Sequence, residues 1–132
     1  VSEKIEAKQI DVTWTVNAVE AVNSDPVMLQ SILGNLFKNA VEYTPDQGAI
    51  SCQVEMTPAG CELVLTNTNS GLVRKDLTHV CEPLWRKDTS RTGTSHSGLG
   101  LAVADRFSTV LGIQLSVSLP TSDTFQARVL IP

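Results

Sequence analysis

Hydrophobic and polar positions alternate at Ile10, Val12, Trp14 and Val16, the pattern of a half-buried strand. The spacing then changes. Leu29, Ile32, Leu33, Leu36 and Ala40 recur at helical intervals up to about Tyr43, with Ser24 or Asp25 as the cap and Pro26 at the first position. A hairpin is predicted next. Ile50, Cys52, Val54 and Met56 alternate with polar residues, 57-TPAG-60 turns, and Cys61, Leu63 and Leu65 alternate on the return. This loop sets Met56 opposite Cys61, so both apolar sets share one face, and the same face receives Asn67 at the strand's end. Residues 68–97 read as irregular, with a short helix around Asp76–Cys81. The stretch 88-DTSRTGTSHS-97 has no apolar residue and is expected to be a mobile loop. A helix is expected over 98–112, started by glycines and stopped at Gly112, followed by strands Ile113–Leu119 and Phe125–Ile131 joined by 120-PTSD-123. This order predicts an α+β two-layer sandwich, a mixed and mostly antiparallel sheet covered on one face by helices.

Composition fits that picture. The 132 residues, 42% hydrophobic and 18% charged, suit a single domain over 1–132 with a real core. Neither a signal-peptide pattern nor an apolar run of membrane-spanning length occurs. The chain begins at Val1, which reads as a piece of a longer protein. The net charge of −4 argues against nucleic-acid binding. That charge is uneven. Arg74, Lys75, Arg86, Lys87 and Arg91 against Asp76, Glu82 and Asp88 give residues 74–91 a local +2, leaving −6 on the remainder. Such a segment suits one anionic ligand at one place, or a solvated loop with scattered charges. Cys52, Cys61 and Cys81 lack metal-type spacing and read as small core residues in a reducing compartment.

Three places carry candidate chemistry. On the first long helix Asn35 and Asn39 lie roughly 80–120° from the centre of the apolar stripe, with Glu42 and Tyr43 further along the same edge. Amides at a buried edge need partners. Their oxygens suit Mg²⁺, a hard ion often shared with phosphates, or they bond to loop backbone. In 97-SGLGL-101, glycines at a helix start expose N–H groups at the positive end of the dipole, a phosphate-binding geometry or a plain turn. Arg86, Lys87 and Arg91 precede it and could reach the same phosphates. In 67-NTNSG-71, Asn67 faces inward and Gly71 allows close backbone approach; the amide reads a base edge or caps a turn. His79 and His96 have no partners at metal or triad spacing. His79 reads as a surface helix residue.

Four stretches, in order, resemble the ATP-binding catalytic domain of bacterial sensor histidine kinases, which belongs to a wider group with gyrase-type ATPases and MutL-type repair proteins. The stretch 35-NLFKNAVEYTP-45 is similar to the N box, 67-NTNSG-71 sits where the D-x-G-x-G box belongs, 81-CEPLWRKD-88 resembles the F box, and 96-HSGLGLAVA-104 the second glycine box. The ending 123-DTFQARVLIP-132 resembles the last strand. The resemblance implies a Bergerat-type fold and a role for each matching position. Asn35 and Asn39 match the asparagines that handle Mg²⁺ and phosphates, Tyr43 an aromatic beside adenine, and Asn67 the aspartate that bonds the adenine amine. Gly71 falls in the base-side box, and Gly98, Leu99 and Gly100 match the backbone at the phosphates. Residues 72–97 match the ATP lid, with Arg86, Lys87 and Arg91 as lid cations. The sequence departs at Asn67, at Asn69 where glycine is usual, at Cys81 and Leu84 where phenylalanines are usual, at His96 and at the acidic Glu42. Asn69 is expected to tolerate left-handed geometry. Position 35 is a glutamate in gyrase-type members, where it activates water; an amide there favours transfer over hydrolysis.

The implied function is therefore Mg²⁺-ATP binding and donation of the γ-phosphate to a histidine on a separate dimerisation domain of the same parent, with a response regulator downstream. The acceptor histidine is not in this chain. The domain alone is expected to be a cytoplasmic monomer without membrane contact, in a parent anchored in the inner membrane or not. Two other readings stand beside it, a degenerate nucleotide-binding or pseudokinase interaction module and an anti-sigma-type serine kinase of the same fold.

Overall fold

The computed structural model describes residues 2–17, 22–69, 71–85 and 100–132. Helix α1 (Ser2–Lys8) leads into strand β1 (Asp11–Val16), then helix α2 (Pro26–Tyr43) and the hairpin of β2 (Ala49–Thr57) and β3 (Gly60–Thr68). A short 3-10 turn (Arg74–Thr78), helix α3 (Gly100–Leu111) and the hairpin of β4 (Gln114–Thr121) and β5 (Thr124–Ile131) complete the described elements. The strands form one mixed sheet in the order β1-β2-β3-β5-β4. β1 runs parallel to β2, and the other pairings are antiparallel. Helices α2 and α3 pack together over one face. The opposite face is polar, where Arg128 donates to Glu62 and Gln126 to Thr66. The architecture is the α+β two-layer sandwich that the pattern predicts.

Local chemistry sets the ends of α2. Asp25 caps it, its Oδ1 accepting from the N–H groups of Val27 and Met28 at 3.0 Å each, and Pro26 opens the helix. At the other end Thr44 is extended, and both its N–H and its hydroxyl donate to the Ala40 carbonyl. Pro45 cannot continue the helix. The buried stripe runs through Ile32, Leu36, Asn39, Ala40 and Val41, while Leu29 and Leu33 are only partly buried. The stripe is thus rotated from the Leu29–Leu33 line that the spacing suggested, which carries Asn39 inside.

Met56 pairs with Cys61 and Ile50 with Asn67, the register that the alternation predicts. The turn is tight. Gly60 has φ +138, and a Cβ there would lie 2.2 Å from the Ile131 carbonyl oxygen, so glycine alone fits. In the second hairpin the register breaks between Ser118 and Thr121, where Pro120 has no N–H to offer the ladder. Helix α3 stops at Gly112 (φ +71), where Ile113 N–H reaches the Ser108 carbonyl at 2.8 Å.

Two expectations need correction, and one element had none. Helix α1 has no counterpart in the sequence reading; only Ile5 on it is apolar and packed, so no periodic stripe announces it. The helix expected over Asp76–Cys81 is instead the 3-10 turn Arg74–Thr78, opened by Asp76, whose Oδ2 accepts the Val73 N–H at 2.8 Å. Trp14 and Val16, expected on a buried face, are 59% and 62% exposed. As an edge strand β1 has a sheet neighbour on one side only, and Trp14 rests on Phe37 of α2, ring centroids 5.0 Å apart. Among the described residues positive φ outside glycine falls at Gln9, Gln47 and Leu84, so Asn69 does not use the left-handed conformation it could tolerate. The cysteines are free, Cys52 and Cys61 in the core and Cys81 half-buried. Burial raises all three thiols, Cys81 to about 11 with a contribution from Asp105.

Candidate functional site

The site begins with the two asparagines of α2. Asn39 is 6% exposed, and its Oδ1 is buried with no hydrogen-bond partner among the described residues. Buried carbonyls are ordinarily paired, so an orphan in a pocket wall points to an absent donor or cation. Asn35, one turn earlier, commits its Nδ2 to Ser31, at 2.8 Å from the carbonyl and 3.3 Å from the hydroxyl. Its Oδ1 is thereby turned toward α3. A Cβ built on Gly100, the first residue of α3, would lie 3.4 Å from that oxygen. The fold thus brings Asn35 and Gly100 together although 65 positions separate them in the chain.

Asn39 lines a small cleft, part of it open to solvent. Tyr43 of α2, Leu101 of α3 and Phe125 of β5 line it, together with Leu72, Val80 and Trp85 from the segment after β3. The cleft is walled mainly by apolar and aromatic side chains, with the Asn39 amide in its lining, a composition common to small-molecule sites. Leu72, Val80, Trp85, Leu101 and Phe125 were not singled out from the sequence, because plain apolar residues carry no chemical signal. Three were within reach: Leu101 lies inside 97-SGLGL-101, Phe125 inside 123-DTFQARVLIP-132, and Trp85 inside 81-CEPLWRKD-88. Trp85 follows Leu84, which is exposed and left-handed at φ +67, and it stacks on His79, centroids 6.3 Å apart. His79 is exposed and pairs with Glu82 at 2.9 Å, a surface role as expected.

Asn67 faces the covered side of the sheet and is 3% exposed. It pairs with Phe125 across the β3–β5 ladder, one strand from the pocket wall, and its Nδ2 donates to the Thr68 carbonyl at 2.9 Å. Asn69 is a fastener. Its Nδ2 donates to the carbonyls of Leu72 and Ser122, and its Oδ1 accepts from the Leu72 N–H. Gly71 has φ +109 with open space where a Cβ would be, so backbone conformation requires the glycine and steric crowding does not. Of the 72–97 segment expected as a lid, the described part, 72–85, is anchored by buried Leu72, Asp76 and Val80. Arg86, Lys87, Arg91, His96, Gly98 and Leu99 lie outside the described residues, as does the loop expected over 88–97. Among the described residues there is no cluster of three or more His, Cys, Asp or Glu side chains able to hold a metal. An ion here would rest on amide oxygens and on its ligand. Also among the described residues, no helix is long and apolar enough to cross a membrane.

Residues 24–132 match the model of the family described as histidine kinase-, DNA gyrase B-, and HSP90-like ATPase. The chain belongs to that family. Its relatives are sensor kinases. The domain is 31% identical over 121 residues to the probable sensor protein PcoS of Escherichia coli, covering 90% of this chain and 26% of that protein. To the sensor histidine kinase Hik2 of Thermosynechococcus vestitus it is 32% identical over 93 residues, covering 70% of this chain and 24% of that protein. The chain thus spans about a quarter of the length of these relatives. The fold superposes on the mycobacterial sensor histidine kinase MprB with a TM-score of 0.82 at 23% identity, covering 99% of this chain and 89% of that one. On the catalytic domain of histidine kinase ThkA the TM-score is 0.79 at 20% identity, covering 98% and 84%. The domain is of the catalytic, ATP-binding kind found in sensor histidine kinases, as the four motif stretches imply.

Proposed function

We propose that the domain binds Mg²⁺-ATP in the pocket beside Asn39 and donates the γ-phosphate to a histidine on a separate dimerisation domain of its parent protein. The observation that carries this reading is the orphaned Oδ1 of Asn39 at the wall of an aromatic-lined cleft. The aromatic and aliphatic wall suits a planar base. Asn35, next to the first turn of α3, supports a phosphate end there, where helix N–H groups favour anions. The donor set fits Mg²⁺, which takes oxygen ligands and shares itself with substrate phosphates. Asn35 and Asn39 would hold it, and when bound it offsets charge on the β- and γ-phosphates. What the protein itself supplies is positioning. Asn39 fixes one oxygen ligand from a helix whose cap and C-terminus are both tied down, and Gly100 leaves room for close approach. Residue 35 is an amide and cannot take a proton from water, which supports transfer to a protein acceptor over hydrolysis. Arg86, Lys87 and Arg91 are the cations we assign to the phosphates, with Gly98 and Leu99 beside them, Gly71 and Asn67 on the base side, and 72–97 as the lid. A response regulator would be the next acceptor; histidine kinase ThkA, a relative in fold, was solved in complex with response regulator protein TrrA. Another relative in fold was solved with AMPPNP.

Calorimetric titration with Mg²⁺-ATP tests binding, and addition of the parent's helical dimerisation domain followed by a search for acid-labile phosphate tests transfer. A second reading, a module that binds nucleotide weakly and works by contact, draws on Asn67. Its amide is already bonded to Thr68, and it stands one strand behind the pocket wall. Absence of any heat with Mg²⁺-ATP would favour that reading.

A further inference from the structure

Helix α1 is fastened to the far end of the helix that carries the site. Lys4 Nζ forms an ion pair with Glu42. Lys8 Nζ donates to the carbonyls of Val41 at 2.9 Å and Glu42 at 3.2 Å, two of the last carbonyls of α2. The Lys8 carbonyl in turn accepts the Gln47 N–H at 2.7 Å, which ties in the loop leaving α2. Two cations therefore meet one carboxylate and the negative end of the α2 dipole. Burial lowers the Lys8 ammonium's pKa, while Glu42 and then Asp46 pull it back up.

The same turn of α2 presents Asn39 and Tyr43 to the pocket. Glu42 is three residues from Asn39, so their Cβ atoms are on the order of 5–6 Å apart. A less fully compensated carboxylate there would repel a phosphate chain held at Asn39, and a frayed last turn would move Tyr43. From this arrangement we infer that α1 is a charge-compensating positioning element of the nucleotide site. Lys4 offsets part of the Glu42 charge, Lys8 holds the last turn of α2, and release of α1 weakens phosphate-bearing ligands although no residue of α1 lines the pocket. The inference rests on the nucleotide reading above. It makes α1, away from the pocket, a means of setting nucleotide affinity.

The test uses the domain as it stands, titrated with Mg²⁺-ATP and with adenosine. Lys4→Met should weaken Mg²⁺-ATP about threefold to fivefold at low salt, the scale of an exposed ion pair, and leave adenosine unchanged. Glu42→Gln in the Lys4→Met background should restore the wild-type affinity, and raised salt should shrink the difference. A second, ligand-free measurement is amide exchange at Tyr43 and Thr44, which Lys8→Met should accelerate at least about fivefold. A purely structural staple would lower Tm and leave both the ATP-to-adenosine ratio and the salt dependence alone; that outcome overturns the inference. So does unchanged exchange in Lys8→Met. If the wild-type domain binds no Mg²⁺-ATP, the proposed function fails, and the positioning of α2 is then decided by the exchange measurement alone.

Discussion

Replacing Asn39 by leucine should move stability and binding in opposite directions. In the free domain the Asn39 carbonyl is buried without a partner among the described residues. An unsatisfied buried acceptor costs about 1–3 kcal/mol. Leucine has a similar shape and fills the same space among Leu36, Tyr43 and Leu101 without that penalty. The pocket is partly open to solvent, so the low end applies, about 1 kcal/mol, or about 4 °C in Tm for a domain of this size. The nucleotide complex loses a ligand to a charged group, worth about 1.5–3 kcal/mol, which is about tenfold to a hundredfold in Kd. Thermal unfolding of the free domain and calorimetry with Mg²⁺-ATP read the two effects separately. If Asn39→Leu lowers Tm and leaves the affinity intact, Asn39 is an ordinary packing residue and the reasoning from its orphaned oxygen is wrong.

Asn67→Asp should tighten ATP and ADP alike by up to about fivefold to tenfold, since a carboxylate accepts from the adenine amine more strongly than an amide. It should also lower the free domain's Tm, because the donor to the Thr68 carbonyl at 2.9 Å becomes an acceptor at a site 3% exposed; unchanged affinity for both nucleotides would remove Asn67 from the base site. Gly48→Ala should cost about 1–3 kcal/mol in denaturant unfolding, because its Cβ would meet Thr44 Cγ2 at 2.5 Å and the Pro45 carbonyl at 2.9 Å; a neutral result would show that the loop relaxes freely. Folding holds the Cys81 thiol at about 11 against 9.0 ordinarily, so at pH 8 its labelling in the folded domain should run about a hundredfold slower than in the unfolded chain. The folded state keeps a proton that the unfolded state loses, so this contribution to stability is complete below pH 9 and fades between pH 9 and 11. A flat stability profile across that window would contradict the assignment.

The parts of the fold visible in the sequence are those whose partners lie close in the chain. Alternation with a short loop fixes the Met56–Cys61 register, and with it the inward aim of Asn67. Pro26 and Pro45 bracket α2 by backbone chemistry alone. What could not be read depends on distant neighbours. Ser2–Lys8 has the composition of a solvated segment, and it is held by cations that find the end of α2 more than thirty residues on. Trp14 looks like a core residue until the sheet order makes β1 an edge. The polar half of the site was legible because amides beside an apolar stripe demand an explanation. The apolar half was not, since Leu72, Val80 and Phe125 look like any core residue until the pocket gathers them.

The sheet order also bears on the sequence of events in folding. Both hairpins close over a few residues, a process on the order of microseconds. Their seam, β3 against β5, pairs Leu65 with Ala127 and Leu63 with Val129 and buries the centre of the molecule. β1 contributes little to that burial, being exposed along most of its length. Its parallel ladder also needs α2 to cross over first, so we expect α1 and β1 to dock last and leave first. Contacts absent from the transition state act on the way out rather than on the way in. Substitutions at Lys4 and Lys8 should therefore appear almost wholly in the unfolding arm of a chevron, leaving the rate of folding where it was.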